Sequence, residues 1–311
     1  MTKAIRFHEY GGPEVMTFEE IPRPAPKDDE ILVRVHAVSV NPVDWKIREG
    51  HVRKMLDIPL PAIPGGDLSG IVEEAGAGAG DLRVGEAVYA MTGLLGAYAE
   101  RVALKSAIVA RKPASLDHVH AASVPLAALT AYQALFEQGA LKSGQRVLVH
   151  AAAGGVGGFA VQLARSAGAE VVGTASPANT EYVRDLGATD VIDYRNPDYA
   201  RHAGRFDLVF DLIGGDTSLQ SLGVLRHGGV FVGGVPPGPA LQEKAAAAGV
   251  RVTAFRVRPD GGQLREIAGL IDAGKVRTTL AAVYPIEEAG KAHLQSKAGH
   301  TRGKIVLQFA V

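Results

Sequence analysis

The residues with the clearest chemical promise are small ones. Ala151–Gly158 reads AAAGGVGG, and it lies between two regular segments. Before it, Gln145–His150 (QRVLVH) is a continuous apolar run of strand length. After it, Val156, Phe159, Ala160, Leu163, Ala164 and Ala167 recur at the i, i+3, i+4 spacing of a buried helix face. Aligned on the dinucleotide fingerprint, the loop reads A-x-G-x-x-G with Ala152, Gly154 and Gly157. Gly154 would let the backbone approach a pyrophosphate, and Gly157 would let the helix pack close to the strand. The free amides at the helix start then point at negative charge. A tight Ala/Gly turn in any α/β protein has the same composition. The strand–loop–helix context is what favours a cofactor cradle.

The next strand, Glu170–Ala175 (EVVGTA), bears on which nucleotide would bind. A site for NAD usually carries an acid about 20 residues beyond the loop, on the ribose hydroxyls. Here the strand runs out through Gly173-Thr174-Ala175-Ser176, and no acid appears before Glu181. A 2′-phosphate would be tolerated there, with Thr174, Ser176 and Asn179 as hydrogen-bond donors, so NADPH is the expected cofactor. Capping of the following helix is a second role open to Ser176 and Asn179. No lysine or arginine lies between Arg165 and Arg184. Tyr194 and Arg195 could contribute if their loop folds back.

Other reactive side chains are sparse. The chain has no cysteine, which excludes disulfides, thiolate zinc ligands and thiol nucleophiles. His118 and His120 are two apart with no third ligand suggested, and read as surface residues. His150 ends a strand and reads as a satisfied core histidine. Trp45, Tyr89 and Tyr98 could line an apolar slot or be ordinary core.

The elements that must position these groups fall into two kinds. The first ~115 residues are β-rich, with runs such as Glu30–Val35 and Gly70–Glu74 between Gly and Pro clusters. From about residue 120, strands and helices alternate, with Phe206–Asp211 (FDLVFD) and Gly229–Gly233 (GVFVG) as further strands. That βαβ alternation predicts a doubly wound parallel sheet. Lys304–Phe309 (KIVLQF) returns to a strand pattern. The 311 residues suffice for two domains. The 33 basic residues equal the 33 acidic ones, so no net field argues for nucleic acid. The longest apolar stretch, Ala121–Phe136, is too short and too interrupted to span a membrane. The opening MTKAIRFHEY lacks a signal-peptide core, so a cytoplasmic home is expected.

Six segments together resemble the medium-chain dehydrogenase/reductase superfamily. They are Val40–Lys46 (VNPVDWK), Ile63–Val72 (IPGGDLSGIV), Pro125–Tyr132 (PLAALTAY), the glycine loop, Asp211–Gly215 (DLIGG) and Gly299–Val306 (GHTRGKIV). The resemblance implies an α/β fold: a β-rich GroES-like catalytic domain over 1–120 and 284–311, and a Rossmann domain over 121–283, with the nicotinamide in a cleft. Where zinc alcohol dehydrogenases carry a Gly-His-Glu motif, this chain has Gly65-Gly66-Asp67. That departure and the missing cysteines point to the zinc-free, quinone oxidoreductase-like branch and to no metal site. By residue, the resemblance implies that Asn41 approaches the nicotinamide ribose or substrate and that Thr130 lies near the nicotinamide. Gly154, Gly155, Val156 and Gly157 would hold the pyrophosphate, and Ile213 and Gly214 would border the cofactor. Two departures stand out. Lys46 follows the Asn-x-x-Asp pattern where many quinone reductases have tyrosine, and Asn179 stands where some place a lysine for the 2′-phosphate.

Without zinc, another group must stabilise charge on a substrate oxygen as hydride arrives. Lys46 is the first candidate. Asp44 and Asp67 could orient it, or simply bond backbone amides. Arg302 and Lys304 could reach cofactor phosphate, or form a solvated strand end. The expected activity is hydride transfer from NADPH to a quinone or α,β-unsaturated carbonyl. A zinc-free aldehyde or enoyl-thioester reductase is an alternative, as is a non-catalytic NADPH-binding, redox-sensing protein. The resemblance also implies a homodimer, paired through a Rossmann edge strand near Gly249–Val257 (GVRVTAFRV).

Overall fold

The computed structural model describes residues 1–195, 202, 205–234 and 237–310. They form two compact units, Met1–Leu129 with Arg258–Val311, and Thr130–Val257.

The first unit begins with an antiparallel pair, β1 (Thr2–Phe7) and β2 (Met16–Ile21). Then come β3 (Glu30–Val40), α1 (Pro42–Arg48), β4 (Asp67–Ala75), β5 (Ala87–Met91), β6 (Arg101–Lys105) and β7 (Val109–Arg111). Two helices follow, α2 (His118–Ala122) and α3 (Pro125–Tyr132), and α3 carries the chain into the second unit. β3 is the spine of the sheet, antiparallel to β4 and β6. Its Ile31, Val33, Val35 and Val38 are at most 3% exposed, packed with Leu68, Val72 and Val88. Each such side chain removed from water stabilises the fold by roughly 1.5–3 kcal/mol.

The second unit alternates strand and helix as the sequence pattern predicts. Its elements are β8 (Arg146–Val149), α4 (Gly155–Ser166), β9 (Glu170–Ala175), α5 (Thr180–Asp185), β10 (Asp190–Asp193), β11 (Phe206–Asp211), α6 (Asp216–Ser221), β12 (Leu225–Gly233), α7 (Pro239–Ala247) and β13 (Arg251–Ala254). They build a six-stranded, all-parallel sheet in the order β10-β9-β8-β11-β12-β13. β8 and β9 are almost wholly buried, which is why their sequences read as continuous apolar runs rather than alternating ones. Strand order reverses between β8 and β11. In open parallel sheets, ligands bind beyond the carboxyl ends of the strands at that switch point.

The chain then returns to the first unit through α8 (Gly261–Asp272), β14 (Leu280–Pro285), α9 (Ala289–Ala298) and β15 (Lys304–Gln308). β15 pairs antiparallel with β3, Ile305 against Val40 and Leu307 against Val38. The terminal strand thus completes the first sheet. Residues 258–283, which the family resemblance places in the Rossmann domain, lie with the first unit. Tyr89 donates to the carbonyl of Leu264, and Asp272 accepts the amides of Ala114 and Ser115. A Cβ on Gly261 would sit 2.6 Å from the carbonyl oxygens of Ala107 and Val109. No helix among the described residues is long and apolar enough to cross a membrane.

Candidate functional site

The glycine loop lies at the carboxyl end of β8, on the sheet's switch point. Gly154 caps α4 in an extended conformation, and the helix begins at Gly155. A Cβ on Gly157 would lie 2.2 Å from the carbonyl oxygen of Ala151, so only glycine lets α4 pack this closely. A Cβ on Gly154 would meet nothing closer than that oxygen at 3.3 Å. That one contact is tight but not prohibitive, so packing at 154 favours glycine without demanding it, and an approaching ligand would add to the demand. The first amides of any helix lack intrahelical acceptors, so Gly155, Val156 and Gly157 offer donors to an anion. The cradle fits a pyrophosphate on chemistry and on space.

Around the cradle the side chains sort differently from their sequence roles. Thr174, expected to donate to a 2′-phosphate, is 2% exposed. Its hydroxyl accepts the amide of Ala151 at 3.1 Å and lies 3.2 Å from His150 Nδ1. It therefore props the phosphate loop from behind. Ser176 and Asn179 are half-buried, and the Asn179 amide donates to Ser176 Oγ at 3.2 Å. They provide the polar edge beyond β9. Tyr194 is exposed at the neighbouring strand end, and its amide lies 3.4 Å from the carbonyl of Ala175. Arg195 is held by Asp193 at 3.3 Å. At the end of β11, Asp211 Oδ1 accepts the amide of Ile213 at 2.7 Å. Gly214 and Gly215 take φ of 87° and 61°, and the turn leaves Ile213 59% exposed as an apolar shelf. Thr130 is buried in α3.

The first unit holds a buried polar cluster at the start of α1. Asn41 is the residue before the helix, and Asp44 Oδ2 accepts its amide at 2.7 Å, closing the first turn. Asn41 Nδ2 donates to Asp67 Oδ2 at 2.8 Å, and Lys304 Nζ donates to Asn41 Oδ1 at 2.5 Å. Asp67 also accepts from Ser39 Oγ and from the amide of Leu126, both at 2.5 Å. The ammonium of Lys304 lies 3.8 Å from Asp67 Oδ2, and both side chains are nearly inaccessible. Burial pushes Asp67 up and Lys304 down, each toward its neutral form, and each is the largest counterweight for the other. Asp44 is pushed up to about 7, first by burial and then by the neighbouring Asp67. Asp44 Oδ1 has no hydrogen-bond partner among the described residues.

A second line of groups runs into Asp44. Tyr98 donates to Asp44 Oδ2 at 3.2 Å, and its oxygen lies 3.3 Å from His293 Nε2. Arg48, fully buried, faces His293 Nδ1 at 3.3 Å. A guanidinium only donates, so Nδ1 accepts and Nε2–H donates to Tyr98. Burial and Arg48 hold His293 down at about 3, so the ring is neutral.

These bonds decide between roles that the sequence left open. Asp44 and Asp67 do not orient Lys46; they bind backbone amides and the Asn41 side chain. Lys46 is exposed, with its ammonium 5.5 Å from the Trp45 ring centroid, and Lys297 lies 5.6 Å from the same ring. Lys304, expected at cofactor phosphate, is turned inward onto Asn41 and the carbonyl of Val40. Arg302 is exposed instead, on the rim of a concavity of about 400 Å³ shared with Thr279, Gln295 and His300. Tyr89 and Tyr98 are fully buried core residues with hydrogen-bonded hydroxyls. His118 is half-buried rather than freely solvated: it stacks on His36 with centroids 4.3 Å apart and bonds Ser69 at 2.8 Å, and burial holds it down at about 4. His150 is a bonded core histidine, as read, though its partners Thr174 and Ser221 could not be seen in the sequence. Among the described residues, no group of three or more His, Asp or Glu side chains is placed to hold a metal.

With this geometry in hand, the comparisons with known proteins become specific. Residues 27–114 match the alcohol dehydrogenase GroES-like domain, and residues 186–307 match a family described as zinc-binding dehydrogenase. The chloroplast envelope quinone oxidoreductase homolog of Arabidopsis thaliana is 32% identical, over 98% of each chain. The chain belongs to the medium-chain dehydrogenase/reductase superfamily, in its quinone oxidoreductase-like branch. Within that superfamily, an NADPH-dependent alkenal/one oxidoreductase of Arabidopsis thaliana is 33% identical, over 98% of this chain and 79% of its own. The Escherichia coli quinone oxidoreductase, solved with NADPH, superposes with a TM-score of 0.88 at 29% identity, covering 98% of this chain and 99% of that one. This medium-chain reductase is thus an oxidoreductase with a nicotinamide-binding Rossmann domain. In Gly65-Gly66-Asp67, the Asp67 carboxylate is taken up by Ser39, Asn41 and Leu126.

Proposed function

We propose that this protein is an NADPH-dependent reductase of quinones and α,β-unsaturated carbonyls that works without zinc. The observation that carries the reading is the rim of the nucleotide cradle. β9 ends at Ala175 and is followed by Ser176 rather than an acid, and Ser176 and Asn179 offer hydroxyl and amide groups where a ribose-binding carboxylate would repel a 2′-phosphate. The relatives named for quinone and alkenal/one substrates support the substrate class, since both are conjugated carbonyls.

When bound, NADPH supplies a hydride from the nicotinamide to the electron-poor carbon of the conjugated acceptor. The protein's part is placement and electrostatics. Gly154, Gly155, Val156 and Gly157 hold the phosphates on the α4 amides, and Ile213 with Gly214 gives the cofactor an apolar edge. Asn41 presents a carboxamide whose orientation Lys304 and Asp67 fix. Lys46 supplies the mobile cation that stabilises charge growing on the substrate oxygen, and solvent delivers the closing proton.

Titrating the protein with NADPH and NADH, then following NADPH oxidation with a quinone, an enone and an aldehyde before and after exhaustive chelation, tests the reading. Tighter NADPH binding, turnover of the first two acceptors and indifference to chelation are expected. Preference for NADH, or activity lost on chelation and restored by zinc, overturns it.

A further inference from the structure

Three of the buried polar groups in the second unit form one directed chain. His150 Nε2 lies 2.8 Å from Ser221 Oγ, and His150 Nδ1 lies 3.2 Å from Thr174 Oγ1. Ser221 Oγ donates to the carbonyl of Thr217 at 2.6 Å, one turn back on α6. Having spent its only proton there, the Ser221 hydroxyl must accept from His150, so the ring carries its proton on Nε2. Nδ1 is then the acceptor, and it takes the hydroxyl proton of Thr174. The lone pairs of Thr174 Oγ1 are left facing the amide of Ala151 at 3.1 Å. These bonds run in one direction, from the Ala151 amide through Thr174 and His150 to Ser221 and the carbonyl of Thr217. Burial also holds His150 below its ordinary range, which keeps the ring neutral.

The two ends of this chain are the two loops at the switch point. Ala151 opens the phosphate loop at φ 50°, a left-handed conformation that residues with a Cβ adopt uncommonly. The carbonyl of Ala151 accepts the amide of Gly154 at 2.9 Å and is the atom against which Gly157 packs. The other end is α6, which follows the Ile213–Gly214 turn. Asp211 fastens that turn to the same helix by accepting from Ile213 and from Ser218 Oγ at 2.6 Å.

We propose that His150, protonated on Nε2 alone, is the positioning residue that holds both cofactor loops in register. It grips the phosphate loop through Thr174 and the nicotinamide-side turn through Ser221 and α6. The inference rests on the proposed nicotinamide-dependent function and deepens it. It assigns Thr174 to the loop rather than to the 2′-phosphate, and leaves discrimination of that phosphate to Ser176 and Asn179.

The test uses the full chain with NADPH as the probe. Nitrogen-detected NMR of the histidine rings should show His150 with a protonated Nε2 and an unprotonated Nδ1 at neutral pH. His150→Phe and Thr174→Val should each raise the Kd and KM for NADPH by about tenfold, the scale of one or two lost hydrogen bonds. With NADPH saturating, kcat should stay within about twofold. The double variant should lose less than the product of the two single effects, since both cut one chain. Thr174→Ser, which keeps the hydroxyl, should restore binding and serves if His150→Phe does not fold. Variants that bind NADPH as tightly as the parent, or a ring protonated on Nδ1, overturn this inference alone. A parent protein that binds neither nucleotide overturns the functional reading, and this inference with it.

Discussion

The ammonium of Lys304 is bonded to the side-chain oxygen of Asn41, across a separation of 263 residues. The last strand therefore sets the conformation of a residue at the head of the first helix. Lys304→Met leaves Asp67 buried with its cation removed. Breaking such a pair on one side typically costs about 3–5 kcal/mol. The variant should melt at a clearly lower temperature and lose kcat, because the Asn41 carboxamide is released. NADPH affinity, governed by the second unit's own loops, should change by less than about threefold. Calorimetry with steady-state kinetics decides it, and an unchanged Tm would show that the pair contributes nothing.

Asp44 gives the protein a pH signature. Its folded-state value of about 7 lies above the ordinary carboxylate value, so the folded protein holds this proton more tightly than the unfolded chain. That contribution is fully present below the unfolded value of about 4 and is lost as pH rises through about 7. Asp67, Lys304 and Tyr98 are the groups that face it. His118 and His293, both held low by burial, act in the opposite sense, since their contribution is lost as pH falls. Comparing Tm against pH for the parent and Asp44→Asn isolates the carboxyl. From pH 4 to 7 the parent should lose stability relative to the variant, and parallel curves would refute the assignment.

Cofactor choice should turn on position 176. Ser176→Asp places a carboxylate at the polar edge beyond β9, where it would repel a 2′-phosphate and offer an acceptor to a ribose hydroxyl. NADPH affinity should fall by about tenfold or more, and NADH should gain. Calorimetric titration of both nucleotides reads the outcome, and unchanged selectivity would place the 2′-phosphate elsewhere.

Lys46→Ala isolates the cation assigned to the substrate oxygen. Lys46 is exposed and rests beside Trp45, so its loss should leave Tm nearly unchanged. If its ammonium stabilises developing charge, kcat should drop by about 10²–10³, with NADPH binding intact. Lys46→Arg should rescue only partly, because the guanidinium presents its donors in a fixed plane. A kcat within about twofold of the parent would assign that work to Asn41 and solvent.

β13 is one of the two edge strands of the six-stranded sheet and pairs with β12 along one side. Its sequence, RVTA, carries no proline or inward charge to deter pairing. A homodimer formed through β13 and its two-fold mate is expected, and Thr253→Pro should shift it toward monomer. Light scattering across micromolar concentrations measures this, and a monomer mass for the parent would refute it.

What the sequence determined by itself is what depends on near neighbours along the chain. The Rossmann alternation shows because β8 and β9 are buried on both faces and hence apolar throughout. The phosphate loop shows because its strand, glycines and helix are contiguous, and the vacancy after β9 shows because the absent acid would have stood at a fixed spacing. Roles that depend on strand register were decided only in three dimensions. Nothing near Lys304 in KIVLQF reveals that β15 sets it against Val40 and Asn41 rather than against solvent. Thr174 looks like a phosphate donor until β9 pairs with β8 and turns its hydroxyl onto Ala151. The family resemblance carries the Rossmann domain to residue 283, yet α8 packs on β7, because Gly261 admits close backbone contact there. A side chain's type limits the bonds it can make; which bonds it makes is set by the partner that the fold brings to it.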